Sequence, residues 1–217
     1  MTNVTAAARD NAEWCDAMCR AHGSPGTFTA PAWTNPTRTP PFYPDAVTLS
    51  PEATAADVLG HIDAGPGASV KDSFAMLDLP GFEVLFEAQW IHREPPERRE
   101  PAIAWEVVKD AATLSDWEQA CFDGEIKGLF LPAILDQVTV LCGREGDAIV
   151  SGSVLSPREQ VVGVSNVFGD APWEGTLAMA AGLYPGRSLV GWEIDPEDAV
   201  RHGFTTIGPL RVWSKIV

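Results

Sequence analysis

The chain has 217 residues, 45% hydrophobic and 21% charged, a globular composition large enough for one sizeable domain or a domain with an extension. No stretch of about 18 apolar residues occurs, which excludes a membrane-spanning helix. The formal net charge of −15 sets the surface against phosphate backbones and excludes nucleic acid as a natural partner. The opening "MTNVTAAARDNAEWCD" has neither the basic flank nor the apolar core of a secretion signal. The four cysteines Cys15, Cys19, Cys121 and Cys142 form no CxxC pair, so a cytoplasmic protein with reduced thiols is expected.

Residues Ala6 to His22 are predicted to form a helix stopped by Gly23. Cys15, Cys19 and His22 share one face of it. With Trp14 and Met18 beside them they are read as an apolar core stripe. Zinc ligands usually come from two separate segments, and cysteine packs as a small hydrophobe, so no metal is expected. Pro25, Pro31, Pro36, Pro40, Pro41 and Pro44 then forbid a helix. The same segment carries Phe28, Trp33, Phe42 and Tyr43, aromatics that disordered linkers lack. It is read as an ordered strap, either a lid over a site or a cover over core. "AVTLS" (46–50) is a predicted strand, and Ser50 with Pro51 signals a helix reaching His61 or Ile62.

"SVKDSFAML" and "FEVLFEAQWIH" are predicted strands. In the second, Phe82, Val84, Phe86, Ala88 and Trp90 share one face, and Glu83, Leu85, Glu87, Gln89 and Ile91 share the other. After the charged turn "REPPERREP", 102–108 is expected to return as the antiparallel partner of that strand. Helices follow at 114–122, behind an acidic cap, and at 131–136. Strands are predicted at 138–142, 148–155 and 161–168, then helix 173–181, strand 188–193, helix 196–202 and strand 205–213.

This order over residues 99–217, together with "AVRHGFTTIGPLRVW", resembles the GNAT (N-acetyltransferase) superfamily. The motif is similar to the family's last helix, its Gly-Phe and its final strand. "NAEWCDAMCRAHG", "TPPFYPDAVTL", "SVKDSFAMLDL" and "GFEVLFEAQWIH" also resemble uncharacterised actinobacterial GNAT-like proteins. The resemblance implies an α/β (α+β) fold, a mixed and mostly antiparallel sheet flanked by helices. In that scheme 1–45 forms a helix and strap, 46–98 a partial α/β half-domain packing on the sheet, and 99–217 the GNAT-like domain.

The family's cofactor is acetyl-CoA, whose pantetheine arm lies against a bulged fourth core strand. Here that strand is "VVGVSNVFG", where Ser165 and Asn166 interrupt an apolar run, as a bulge or as a satisfied polar pair at a sheet edge. The implied cofactor-binding residues are Ser165, Asn166, Val167 and Phe168, with Gly175 in the loop that follows. That loop departs from the family's Gly-rich pyrophosphate cradle. "DAPWEGTLAMAAG" sets Asp170 and Glu174 where a phosphate would go. Ala199 stands where many members carry a tyrosine that protonates the thiolate.

Glu193 ends strand 188–193 and is a candidate general base toward an amine; the other reading is a cap, with Asp195, for the next helix. Glu87 is the second catalytic candidate, with Glu106 as a carboxylate that would share its face if the returning strand pairs in register, against the reading of a solvent-facing glutamate. Lys71 and Asp72, followed by Ser73, are candidate substrate residues or a solvated strand end. Trp90, beside His92, and Trp192 are the aromatic candidates at the site. Three functions remain open. One is an acyltransferase moving an acyl group from acyl-CoA to an amine of a small molecule. Another is a different small-molecule enzyme on a GNAT-like scaffold with a degenerate CoA site. The third is a non-catalytic binding or dimerisation protein, with a second copy of the chain as partner.

Overall fold

Caps and turns set the element boundaries in the computed structural model, which describes residues 3–159 and 161–216. Helix α1 (Asn3–Ala21) precedes β1 (Thr27–Phe28), β2 (Ala32–Thr34) and β3 (Ala46–Thr48). The helix expected from Ser50 starts later. Ser50 and Pro51 open a turn, closed by the Ala53 N–H to the Ser50 carbonyl at 3.2 Å. Helix α2 (Ala55–Leu59) then begins at Thr54, whose backbone N–H donates to the Asp57 carboxylate at 2.8 Å. Thr54 has an acid three residues on and Ser50 has only Ala53, so the capping box forms at Thr54.

Strand β4 (Ser69–Asp72) is also shorter than "SVKDSFAML" suggests. The Asp72 carboxylate accepts from the N–H groups of Leu77 (2.8 Å) and Phe74 (3.3 Å), which curls the following residues into a turn. Strands β5 (Glu83–Arg93) and β6 (Ala104–Val107) come next. Helix α3 (Ala111–Cys121) starts three residues before the predicted one, because the Asp110 side chain accepts from Thr113 N–H at 2.9 Å. A 3-10 turn (Pro132–Asp136), β7 (Thr139–Glu145), β8 (Ala148–Pro157), β9 (Val161–Gly169), α4 (Pro172–Leu183), β10 (Ser188–Glu193), α5 (Glu197–Arg201) and β11 (Thr205–Ser214) follow in the predicted order. Among the described residues no helix is long and apolar enough to cross a membrane.

The chain forms two units, each discontinuous in sequence. One comprises the chain up to Ile91 with Trp192–Pro196 and the stretch from Thr206; the other comprises His92–Gly191 and Glu197–Thr205. The first has strands in the order β1-β2-β3-β4-β11-β5. Its β3 and β4 run parallel with Val47 opposite Lys71, and β4 and β11 run antiparallel with Lys71 opposite Val212. Side chains alternate across a strand. Val47 packs with Trp33 against Ala12, Cys15 and Cys19 of α1. Ala46 and Val70 pack with Val58 of α2 on the other face. The register therefore puts the Lys71 side chain on the α1 face, among apolar neighbours.

The second unit has the order β10-β9-β8-β7-β6, antiparallel except for the parallel β10–β9 pair. Strand β6 pairs with β7, with Trp105 opposite Gly143, and is not the returning partner of β5 that the sequence suggests. Helix α3 covers one face through buried Trp117, whose indole N–H donates to the Leu141 carbonyl at 2.8 Å. Helix α4 meets β8 through the Thr176 hydroxyl, which donates to Ser153 Oγ at 2.8 Å. A mixed, mostly antiparallel sheet flanked by helices is the fold class expected.

Candidate functional site

The site starts in the second unit, with an irregularity in β9. Val154 of β8 faces Ser165 and Gly152 faces Phe168, so Ser153 alone spans Asn166 and Val167. This two-against-one count is a β-bulge, and Asn166 carries it at φ 50°, a left-handed conformation that asparagine tolerates better than most residues. The bulge expected at Ser165–Asn166 is present one residue further on, at Asn166–Val167. On its other side β9 pairs with β10 over Val161–Gly163 against Ser188–Val190. Beyond that point β9 continues to Gly169 with no β10 partner among the described residues. An extra residue in one ladder and a ladder that stops on the other side interrupt the regular strand pairing here. The Asn166 side chain bonds Cys121 of α3, whose thiol burial pushes up to about 12 despite that bond.

After β9, Gly169 and Ala171 both take positive φ and turn the chain into α4, with Asp170 and Glu174 exposed at its start. Gly175 was the expected close-approach glycine. A Cβ built there would lie 1.9 Å from the Trp105 indole, so the space over it is filled by the protein's own ring. Phe168 likewise turns its ring to Trp117, 5.4 Å between centroids, and its side chain serves packing.

A cavity of about 910 Å³ adjoins α4 in the same unit, lined by Glu174, Leu177 and Ala178, by the "HREPPERRE" segment, and by Arg201 at the end of α5 with His202 and Gly203 after it. Arg93 donates through Nε to the His202 carbonyl at 2.8 Å, and Thr205 Oγ1 donates to the His92 carbonyl at 3.2 Å. Phe204 of the "HGF" motif packs on Trp173 of α4 at 4.9 Å. Arg93, Arg99 and Arg201 were not singled out in the sequence. The signal was the charge density of "REPPERREP", which also suits a solvated turn.

The first unit holds a second cavity, of about 570 Å³. The strap walls it from Arg38 to Asp45, and Lys71, Leu85, Phe86, Trp192, Ile194 and Val212 complete it. The strap is therefore the wall of a cavity. Asp45, 1% exposed, fastens it. The carboxylate accepts from Arg38 Nη1 at 2.5 Å, from Thr39 N–H at 3.0 Å and from Ser69 N–H of β4 at 2.9 Å. Asp45→Ala should leave the core intact but raise amide exchange of residues 37–45 at least about tenfold, since it removes these three bonds and a fourth from the Thr39 hydroxyl at 3.1 Å. Unchanged exchange would show that the prolines alone hold the strap.

Lys71 lies inside this cavity's lining, 5% exposed. Its Nζ donates to Asn11 Oδ1 at 2.9 Å and sits 4.3 Å from the Trp192 ring centroid. Burial pulls its ammonium down to about 8, with Cys15 acting weakly the other way. Trp192 in turn stacks on Phe86 at 5.7 Å. Asn11 was not anticipated, although a polar residue on the buried face of an alanine-rich helix is the signal for it.

The remaining candidates are placed elsewhere. Asp72 holds the turn after β4. Trp90 is fully buried and donates its indole N–H to the Ser73 carbonyl at 2.8 Å. Glu87 lies on the surface, bonded to Arg211 Nε at 2.7 Å. Glu106 is bonded to Arg144 Nε at 2.6 Å. Glu193 is half-buried at the end of β10.

No family model matches the sequence, and no curated protein does. In three dimensions the chain is similar to a protein from Novosphingobium aromaticivorans described as an acetyltransferase of the GNAT family. The identity is 11% and the TM-score 0.60, over 94% of this chain and 99% of that one. It is also similar to a GCN5-related N-acetyltransferase from Kribbella flavida, at 14% identity and a TM-score of 0.59, over 96% and 95%. A conserved protein of unknown function from Staphylococcus epidermidis is similar at 9% identity and a TM-score of 0.54, over 70% and 73%. At these identities the likeness is one of fold.

Proposed function

We propose, since the chain has the GNAT fold, that it is an acyltransferase moving an acyl group from acyl-CoA to an amine of a small molecule. A fold hosts many chemistries, so the reading rests on the site. The observation that carries it is the bulge at Asn166–Val167 beside the short β10–β9 ladder. Ser165, Asn166, Val167 and Phe168 would hold the pantetheine arm through their backbone groups. The fit at the phosphate end is different from the family's. The start of α4 carries two carboxylates and Gly175 is covered, so Arg93, Arg99 and Arg201 beside α4 would meet the phosphates. Bound acyl-CoA supplies an activated thioester. A Val167 N–H would stabilise charge on its carbonyl oxygen. Glu87 is assigned no part, because it is held by Arg211 in solvent. The covered Gly175 and the carboxylates of Asp170 and Glu174 favour a second reading, a GNAT-like scaffold that handles a small molecule without CoA.

Thermal melting with acetyl-CoA separates the two. At 100 times Kd a ligand adds about 2.7 kcal/mol, so about 1 mM acetyl-CoA should raise the transition by several degrees. Asn166→Val, which resists positive φ, should abolish the shift, and Asn166→Gly should keep it. No shift with acetyl-CoA, free CoA or a longer acyl-CoA overturns acyl transfer.

A further inference from the structure

The cavity behind the strap presents a combination that the acyl-transfer reading does not use, and it lies within the first unit alone. Its lining is apolar on nearly every side: Pro40, Pro41, Leu85, Phe86, Ile194 and Val212. At its mouth Phe42 is 73% exposed and stands at φ 71°, Leu85 is 63% exposed, and Ile194 is 62% exposed. A non-glycine residue held at positive φ costs free energy and is retained where surroundings or function demand it. Into this surface the β4 register delivers one ammonium. An ammonium has three donors, and here one goes to Asn11 Oδ1. Its other contact is the Trp192 ring face, and among the described residues no carboxylate pairs with it. A buried cation with only neutral partners is expensive unless a counter-charge arrives.

We propose that this cavity binds an apolar monoanion: a carboxylate on an aromatic or branched hydrocarbon body, the carboxylate on Lys71 and the body against Phe86 and Trp192. One fixed positive charge selects one negative charge. Arg38, the other cation of the lining, is already bonded to Asp45. The volume of about 570 Å³ suits a body of one or two rings. The charged and titratable groups facing Lys71 do not supply the counter-charge. On α1, burial holds the Cys15 thiol at about 12, so it is neutral, and Asp10 and Asp16 lie near that thiol. Asp16 is bonded to Arg20 and to the Trp33 indole N–H. On the strap Asp45 is taken by Arg38 and two backbone N–H groups. A ligand carboxylate would stabilise the charged amine that burial disfavours, so binding and protonation of Lys71 support each other.

The test uses naphthalene-2-acetate and its neutral isostere naphthalene-2-acetamide, titrated into the full chain at pH 7 by calorimetry and by Trp192 indole N–H shifts. The acetate is expected to bind at least tenfold tighter than the amide. Lys71→Met should remove that preference, and Phe86→Ala should weaken both ligands alike. Raising the pH from 7 to 10 should erode the preference as Lys71 loses its proton. Equal affinity for the two ligands, a preference that survives Lys71→Met, shifts confined to residues outside this cavity, or no binding at millimolar concentration would each overturn the proposal. None of these results bears on acetyl-CoA binding, so the two readings fail independently.

Discussion

Gly169→Ala should destabilise the second unit by about 2 to 5 kcal/mol, the sum of a left-handed conformation for an L-residue (about 1–2) and forced overpacking (about 1–3). Gly169 has φ 88°. A Cβ there would lie 2.0 Å from the Val150 carbonyl oxygen and 2.7 Å from the Ser151 Cα. Both atoms belong to the backbone of β8, and Ser151 is the ladder partner of Gly169, so neither retreats without breaking the sheet. For a chain of this length about 1 kcal/mol moves Tm by about 2–4 °C, which sets an expected fall of about 4–20 °C, read by circular dichroism and denaturant titration. Gly146→Ala is the control. It has φ 61° and nothing within 4 Å of the added carbon, so it pays the conformational term alone. A Gly169→Ala loss no larger than the Gly146→Ala loss would show that β8 yields. Because Gly169 ends the bulged strand, the same variant should also weaken acetyl-CoA binding under the proposed function.

Lys71→Met should do the opposite and stabilise the ligand-free protein at pH 7. Burial lowers the Lys71 ammonium from 10.5 to about 8. Below about pH 8 the side chain is protonated in both folded and unfolded chains, and the folded one bears the full cost of a buried charge. Between about 8 and 10.5 the unfolded chain binds more protons, so stability rises with pH. Above 10.5 both are neutral and the cost is gone. The shift is worth about 3 kcal/mol at about 1.36 kcal/mol per pKa unit. Part of that gain is offset when the Asn11 amide oxygen loses its donor, at about 1 kcal/mol. The expected net gain is about 1–2 kcal/mol at pH 7, shrinking as the pH approaches 10.5. A destabilised Lys71→Met protein, or a gain flat across that range, would show that the ammonium is better solvated than its surroundings imply.

The order of elements in the second half was legible because most carry their own period. The "HGF" turn could be placed from local chemistry alone, and an acidic cap for α3 was expected, with the helix start three residues late. The β9 bulge was legible for the same reason: two polar residues interrupt an apolar strand, and one of them is an asparagine. Pairing was not legible. Nothing in "AIAWEVV" says that β6 joins β7 rather than β5, because a strand's own pattern of side chains does not name its partner. Lys71 beside Asp72 looked like one polar strand end. The strand sends the two side chains to opposite faces, one into a cavity and one into a turn. Trp105 over Gly175 was also hidden, since a glycine made for close approach does not reveal what approaches it.

The first unit places β11 between β4 and β5. The strand between them is thus made more than a hundred residues after the two that flank it. During synthesis β4 and β5 emerge with their inner edges open, and such edges invite pairing with other chains. The N-terminal half cannot close its own sheet on the ribosome and must wait for Thr205–Ser214. A lysine on one of those waiting strands and the charged "REPPERRE" stretch just past the other are the kind of guards that keep such edges from aggregating in the interval.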